Sequence, residues 1–296
     1  MRFTKMNGAG NDFVVLDAVK EPLPLAPDDI PGFVYRLCDR HTGVGADGVM
    51  ILRKPAGDAD VAMAFYNSDG SMGEMCGNGV RCVCRYACEC GYAGDTVRVE
   101  TTAGLVIGWR QKHNWFRIRL NTPSVLETEK TLTVDGTEIR CGYVELGNPG
   151  IPHLAVQIEQ MPWDGGAELD ALRKLGRKLR NHPALKKGAN VNFYQITGPQ
   201  HVYEMTYERG VEDFTQACGT GTGSVAAVLA ASGRMDGKHI SFAMPGGSLD
   251  MEVRMEDGRV RNLFLTGPAQ LVYTGELAED FLRPIIIEDL EEEQEE

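Results

Sequence analysis

Two short stretches of this chain resemble each other and indicate its fold: Glu74-Met75-Cys76-Gly77-Asn78-Gly79 and Gln216-Ala217-Cys218-Gly219-Thr220-Gly221. Each contains a Cys-Gly-x-Gly sequence and runs into a helical pattern, which ends at Gly91 in the first case and at Gly233 in the second. The two cysteines stand nearly half the chain length apart. Self-similarity at such a distance indicates an internal duplication.

Strand-like segments surround both stretches in the same order. Val61–Tyr66 and Val202–Tyr207 precede them, and each ends in a polar cluster. Val97–Leu105 and Ile240–Gly247 follow them, and each carries a kink of small residues. The repeated order predicts two units, each with a central helix that follows a cysteine-bearing turn and is wrapped by alternating strands.

The junction between the two units is predicted near Asn121–Ser124, where Pro123 interrupts a strand-like run. A further helix is predicted over Ala167–Arg180, because four leucines recur there at helical spacing. This helix is expected to end before Pro183.

Composition narrows the class of protein and its partners. The 296-residue chain is long enough for two domains. Its longest apolar run, Val225–Ala231, is far shorter than the about 20 residues of a membrane-spanning helix. The first twenty residues lack the apolar core of a secretory signal, so we expect a cytoplasmic protein with no membrane partner.

The net charge is −12, and the last nine residues, Glu288–Glu296, carry seven of the acidic groups. A nucleic-acid binder needs a basic patch or stripe, so no nucleic-acid partner is expected. We expect the acidic tail to be a solvated, frayed end.

Eight cysteines in a chain without a signal are expected to be mostly reduced thiols. Four of them, Cys82, Cys84, Cys88 and Cys90, form a C-x-C-x3-C-x-C pattern that is compatible with zinc or an iron–sulfur cluster. The same four lie in a helical stretch and scatter around it, which favours small buried side chains instead. We predict no metal site.

A cysteine at a helix start lies among unpaired N–H groups at the positive end of the helix dipole, which favours its thiolate. The glycines after Cys76 and Cys218 leave those N–H groups open to a carboxylate. If the two units face each other, one thiolate removes the α-proton of an amino acid and the opposite thiol returns a proton to the other face. The alternative interpretation is that both cysteines are buried apolar residues that happen to precede helices. No dinucleotide or P-loop glycine motif is present.

The chain resembles the diaminopimelate epimerase family, cofactor-independent enzymes of the broader proline racemase-like superfamily. Several ordered motifs between Lys5 and about Gly275 carry the resemblance: Lys5–Phe13, Asp39–Gly48, Tyr66–Ser71, Met75–Cys82, Asn190–Phe193, Tyr207–Gly210 and Ala217–Gly221. Asn78, where proline racemases typically carry His, favours the epimerase branch.

The resemblance implies an α+β fold of two pseudo-symmetric domains, each a mostly antiparallel sheet or barrel around a central helix. The first domain is predicted to comprise residues 1–121 with 266–287, the second 122–265, and the tail 288–296. The resemblance also implies a homodimer that needs no cofactor. Its substrate would be a small amino acid, LL-diaminopimelate, which the enzyme converts to the meso form for lysine and cell-wall precursor synthesis.

The resemblance further assigns site residues. Cys76 and Cys218 are the acid/base thiols, and the backbone N–H groups of Gly77, Asn78, Gly219 and Thr220 hold the α-carboxylate. Asn11 and Glu208 lie near the reacting amine, and Asn67, Asn190 and Arg209 read the far end of the substrate. An arginine can grip a second carboxylate through two parallel hydrogen bonds.

Three departures from the family pattern concern substrate recognition. The family has Asn two residues before His153, where this chain has Ile151, so either the distal contact is lost or Asn148 replaces it. One extra residue separates Arg209 from Cys218, and Gly48 stands where many members have Gln. A racemase for another amino acid, such as histidine, therefore remains an alternative, as does a non-catalytic ligand-binding homologue.

Overall fold

The computed structural model describes residues 1–73, 75–159 and 166–282. Glu74, residues 283–287 of the predicted first domain and the predicted tail 288–296 lie outside the described residues.

The first half of the chain consists of short strands around one central helix. Its elements are β1 (Arg2–Gly8), β2 (Asn11–Asp17), α1 (Ile30–Cys38), β3 (Gly48–Arg53), β4 (Val61–Asn67), β5 (Met72–Gly73), α2 (Gly77–Glu89), β6 (Thr96–Thr101), β7 (Gly104–Arg110) and β8 (Trp115–Leu120).

The second half repeats this order after one additional strand. Its elements are β9 (Pro123–Val134), β10 (Thr137–Leu146), β11 (Ile151–Gln157), α3 (Ala167–Arg180), β12 (Asn190–Gly198), β13 (His201–Tyr207), β14 (Phe214–Thr215), α4 (Gly219–Ala231), β15 (Ile240–Met244), β16 (Gly247–Glu256) and β17 (Arg259–Pro268). Strand β18 (Gln270–Glu276) and the short helix α5 (Glu279–Leu282) complete the described chain.

Strand pairing confirms the predicted duplication. In the first half β2 pairs with β3, and β4 with β6, in parallel. In the second half β11 pairs with β12, and β13 with β15, in parallel, at the equivalent places. The remaining pairs are antiparallel within the described strands, as predicted, and β8 joins β17 to make one sheet of both halves. Strand β18 returns to pair with β1, which places the last strand beside the first half.

Helices α2 and α4 lie at the centre of the two halves. Val80, Cys82, Val83 and Cys84 of α2 are fully buried, and so are Val225–Ala227 of α4. Both helices pack into one apolar core that includes strands from both halves. Gly91 and Gly233 follow the two helices with φ of 73° and 70°, a left-handed conformation that commonly terminates helices.

The local predictions hold with two corrections. Helix α3 spans Ala167–Arg180 as predicted, with Leu172 and Leu179 buried. The segments Val97–Leu105 and Ile240–Gly247 are not single kinked strands, because each kink is the tight turn between two antiparallel strands. Cys88 and Cys90 are only partly buried, because they lie near the end of α2, where the helix meets solvent.

Among residues 1–73, 75–159 and 166–282, no helix is long and apolar enough to cross a membrane. The same residues contain no group of three or more His, Cys, Asp or Glu side chains that could hold a metal ion.

Candidate active site

Cys76 and Cys218 occupy the same backbone position in the two halves. Each immediately precedes a 13-residue helix, Cys76 with φ/ψ of −127°/111° and Cys218 with −125°/102°. The extended backbone of an N-cap residue turns the first N–H groups of its helix toward the cysteine side chain. The sequence predicted this equivalence, and both cysteines are free thiols.

The two helix starts meet at one cleft. A Cβ atom added to Gly219 would lie 3.9 Å from Cα of Gly77 and 3.8 Å from Oδ1 of Asn78. The cleft has a volume of about 570 Å³. The structure brings eleven predicted site residues into its lining: Asn11, Asn67, Cys76, Gly77, Asn78, Asn190, Glu208, Arg209, Cys218, Gly219 and Thr220.

A chain of hydrogen bonds fixes the amides on the α2 side of the cleft. Nδ2 of Asn78 donates to Oδ1 of Asn11 at 2.6 Å and to the Ala217 carbonyl at 3.3 Å. Nδ2 of Asn11 in turn donates to Oδ2 of Asp47 at 3.0 Å. These bonds fix the amides of Asn11 and Asn78 in the lining that also contains the two thiols and the carboxylate of Asp47.

The predicted distal residues line the cleft from both halves of the chain, Asn67 at the end of β4 and Asn190 and Arg209 in the second half. Oδ1 of the buried Asn190 accepts the backbone N–H of Arg209 at 2.8 Å. Nη1 of Arg209 donates to the Lys187 carbonyl at 3.0 Å, while much of the side chain is exposed. Asn67 donates from Nδ2 to Oγ of Ser71 at 3.0 Å. A guanidinium and two amides thus belong to the lining of one cleft.

The pKa values of the two thiols correct the prediction that the helix starts favour their thiolate forms. Burial raises the pKa of Cys76 to about 11 and that of Cys218 well above its ordinary value. The helix N–H groups act in the predicted direction, but the loss of solvation outweighs them. The charge of Glu208 raises the pKa of both thiols further, whereas Arg81 lowers that of Cys76.

Glu208 follows β13 and lines the cleft near both cysteines. Burial raises the pKa of its carboxyl group, and the carboxylate of Asp47 acts in the same direction. Two carboxyl groups in one cleft produce a region that attracts an ammonium group.

His153 and Asn148, the two further candidates, lie outside this lining. His153 is fully buried, and its Nδ1 lies 3.3 Å from Nδ2 of Asn192. Asn148 lines an adjoining cavity of about 370 Å³, which shares Met75, Ile151 and Thr220 with the cleft. Ile151 therefore lies in the cleft at the position where the family pattern has an amide.

Sequence reasoning missed two supporting residues. Asp47 was visible only as part of a motif, yet it accepts a hydrogen bond from Asn11. Arg81, fully buried inside α2, donates to Oδ1 of Asn78 at 2.8 Å. An arginine amid apolar helix positions was the available signal, because a buried guanidinium requires hydrogen-bond acceptors. Other lining residues that were not predicted are Phe13, Phe65, Ser68, Gly73, Met75, Val211, Phe214, Thr215, Gln216 and Ala217.

Comparison with known proteins gives consistent matches along the chain. The family model described as diaminopimelate epimerase matches residues 3–126 and 146–272. A diaminopimelate epimerase from Aquifex aeolicus (strain VF5) is 39% identical over 292 residues, which cover 95% of this chain and 99% of that protein. One from Archaeoglobus fulgidus is 37% identical and covers 95% and 98%.

Solved structures with the same fold are more distant in sequence. A probable proline racemase from Agrobacterium radiobacter K84 superimposes with a TM-score of 0.70 at 18% identity and covers 97% of this chain and 94% of that one. A hydroxyproline epimerase from Agrobacterium vitis gives a TM-score of 0.68 at 18% identity and covers 93% and 91%. These likenesses show the two-domain fold.

Proposed function

The chain belongs to the diaminopimelate epimerase family, and from that premise we propose that it interconverts LL- and meso-diaminopimelate by proton transfer between Cys76 and Cys218. The observation that carries the proposal is the shared cleft, in which both cysteines precede equivalent helices and face the same cavity. The relatives named above are diaminopimelate epimerases, which makes an isomerase the supported class of enzyme.

The α-carboxylate of the substrate binds between the two helix starts. The first N–H groups of an α-helix have no partner within the helix, and those of Gly77, Asn78, Gly219 and Thr220 lie at the cleft. Carboxylate binding there keeps Cα between the two sulfur atoms. The ammonium group lies toward Asn11 and Glu208, where an amide oxygen and a carboxyl group accept its hydrogen bonds.

One thiolate then takes the α-proton, so that the Cα–H bond breaks and an S–H bond forms. The opposite thiol gives its proton to the other face of Cα, and its sulfur becomes the thiolate. Configuration inverts, and the two cysteines have exchanged protonation states. The helix N–H groups stabilise the charge that develops on the carboxylate as the proton leaves. Because the two thiols supply both base and acid, we propose that pyridoxal phosphate is not needed.

The residues proposed to bind the distal end support diaminopimelate as the substrate. Arg209 offers a guanidinium to a second carboxylate, and Asn67 and Asn190 offer amides to a second amino group. A racemase for another amino acid is the second candidate, since Ile151 presents an apolar surface in the same cleft.

Proton NMR in D2O tests this proposal. Reduced protein and LL-diaminopimelate should give loss of the α-proton signal and appearance of the meso form, with no added cofactor. Cys76→Ala and Cys218→Ala should each lose turnover, whereas Cys141→Ala, a change in a separate core cluster, should retain it. Full epimerase activity of Cys76→Ala would exclude the mechanism, and exchange only with another amino acid would support the second candidate.

We further propose that the enzyme is a cytoplasmic homodimer. The mechanism needs two reduced thiols, and the cytosol keeps thiols reduced. Light scattering of the purified protein measures the oligomeric state, and cell fractionation measures its location. A monomeric mass at working concentration would contradict the dimer.

A further inference from the structure

A carboxyl group lies buried beneath the start of α4, outside the cleft. Glu204 on β13 is 2% exposed, and its Oε1 has no hydrogen-bond partner in the part of the chain that the structure describes. Its other oxygen, Oε2, lies 2.8 Å from Oγ1 of Thr222. An ionised carboxylate with a single donor is costly to bury, because its charge is neither solvated nor paired.

The Thr222 hydroxyl stands between two oxygen atoms. Oγ1 of Thr222 lies 2.8 Å from Glu204 Oε2 and 3.0 Å from the backbone oxygen of Cys218. A hydroxyl carries one proton and donates to one acceptor. Both short contacts are satisfied together when Glu204 is protonated: its O–H donates to Thr222, and Thr222 donates to the Cys218 carbonyl.

The first half shows what the fold itself requires at these positions. Val49 pairs with Tyr66 as Val191 pairs with Tyr207, and this register makes Met63 the counterpart of Glu204. Val80, four residues after Cys76, is the counterpart of Thr222. Met63 and Val80 are both buried and apolar. An apolar pair therefore suffices to seat a central helix, and the polar pair beneath α4 serves another purpose.

We propose that Glu204 is a positioning residue of the reaction: a neutral carboxylic acid that acts through Thr222 on the backbone and charge environment of Cys218. Glu204 touches neither the substrate nor the cleft. Loss of its proton turns the Thr222 hydroxyl toward the carboxylate and removes it from the Cys218 carbonyl. The same loss places a negative charge beneath Cys218, which opposes formation of its thiolate.

The charged groups around Glu204 do not offset that charge. Strands β14 and β15 contain no titratable side chain. On β12, Tyr194 lies opposite Glu204 in register, and its hydroxyl accepts a hydrogen bond from Arg234 at 3.0 Å. Helix α3 packs on the other face of β13, where Arg177 contacts Tyr207.

The group at the cleft that responds to Glu204 is the Cys218 thiol. Glu204 and Glu208 both raise the pKa of Cys218. Burial raises the pKa of Glu204 to about 8, so the carboxyl group is protonated at neutral pH and loses its proton in mildly alkaline solution. The Glu204–Thr222 pair is confined to the second half, because the apolar Met63 and Val80 occupy the equivalent positions near Cys76.

Three variants test the proposal. Glu204→Gln keeps the shape and a donor toward Thr222 but cannot ionise. Glu204→Met combined with Thr222→Val copies the pair that already seats α2, so it is designed to fold. Glu252→Gln is the control, because Glu252 forms a half-buried ion pair with Arg117 and lies outside the cleft lining.

Two measurements need no substrate. Infrared difference spectra between Glu204→Gln and the unaltered protein should show the C=O band of a protonated carboxylic acid near pH 6 and its disappearance above about pH 9. Iodoacetamide labelling, resolved by mass spectrometry, should show Cys218 of Glu204→Gln and of the double variant reacting about tenfold faster than in the unaltered protein at pH 9.5. Cys76 should react equally in all of them.

Only the prediction for turnover rests on the proposed function. In Glu204→Gln the decrease of kcat at alkaline pH should move to higher pH. Absence of the acid band near pH 6, or equal labelling of Cys218 at every pH, would overturn it. Absence of α-proton exchange in the unaltered protein would instead overturn the epimerase assignment and leave the infrared and labelling results intact.

Discussion

The fully buried guanidinium of Arg81 donates from Nη2 to Oδ1 of Asn78 at 2.8 Å. This bond fixes which end of the Asn78 amide faces the cleft, because the amide oxygen is held by Arg81 and the NH2 group is left for Asn11. The remaining partners of Arg81 are the neutral carbonyls of Gly77 and Pro268. Within the described residues no carboxylate forms a salt bridge with it. A positive charge thus lies beneath the start of α2, where the substrate carboxylate is proposed to bind.

Arg81→Lys should lower kcat/KM by about 10- to 100-fold, the cost of about 1.5–3 kcal/mol for a lost charged hydrogen bond. Lysine keeps the charge, but it lacks the planar guanidinium with which Arg81 donates to Asn78 and to two carbonyls at once. Steady-state kinetics with LL-diaminopimelate measures the effect. Arg85→Lys, on the same helix but bonded to the Ala269 carbonyl, should change kcat/KM little. Equal kinetics of the two variants would show that Arg81 does not position Asn78.

Alkylation of Cys76 in the free protein should accelerate about tenfold for each pH unit up to about pH 11, because only the thiolate reacts and burial raises the pKa of this thiol to about 11. Mass-resolved labelling with iodoacetamide between pH 7 and pH 11 gives the profile. Glutathione, labelled in the same tubes, should level off at lower pH. A plateau for Cys76 near pH 8 would mean that the helix N–H groups outweigh burial after all.

Ile151→Asn should lower KM for LL-diaminopimelate about fivefold with little change in kcat, because one added hydrogen bond to the distal group is worth about 1 kcal/mol. Val211→Asn introduces the same amide at another apolar position of the cleft lining and should leave KM unchanged. A higher KM in Ile151→Asn would indicate that the apolar surface contacts the substrate and would favour a different amino acid.

Gly221→Ala should destabilise the protein by about 1–3 kcal/mol, because the new Cβ would lie 2.1 Å from Oδ1 of the buried Asn192. Gly32→Ala in α1, where a Cβ would have nothing within 4 Å, should instead stabilise it by up to about 1 kcal/mol. Urea unfolding of both variants measures the two free energies. A stable Gly221→Ala protein would show that Asn192 can move away from α4.

The duplication was readable in the sequence because it depends on local signals. Three features recur in the same order in both halves: a cysteine before a glycine-rich helix start, a positive-φ glycine after the helix, and strands on either side. Each of these features reflects the conformational preferences of nearby residues. Helix α3 was predicted to the residue because its leucines mark one buried stripe. Turn positions were harder to predict from the sequence. Thr102-Ala103 resembles a kink within one strand, and only the antiparallel pairing of β6 with β7 shows that it is a turn.

Site composition was partly readable for a similar reason. The eleven predicted site residues in the cleft lining lie in motifs at strand and helix ends, where family resemblance assigns them. His153 also lies in a motif, yet its strand turns it into the core beside Asn192. Which face of a strand meets the cleft depends on pairing across the sheet, and a single sequence does not specify that.

The two cysteine helix starts, their equivalence and the family can be read from the chain without a structure, because they are properties of short segments and of their order. The electrostatics of the thiols required the folded structure, since the pKa values of Cys76 and Cys218 depend on burial and on charges brought from distant segments. The electrostatic asymmetry between the two halves also required it. Arg81 lowers the pKa of Cys76, whereas Glu204 raises that of Cys218. Both effects arise only when α2 and β13 are packed into a common core, where water no longer screens the two side chains.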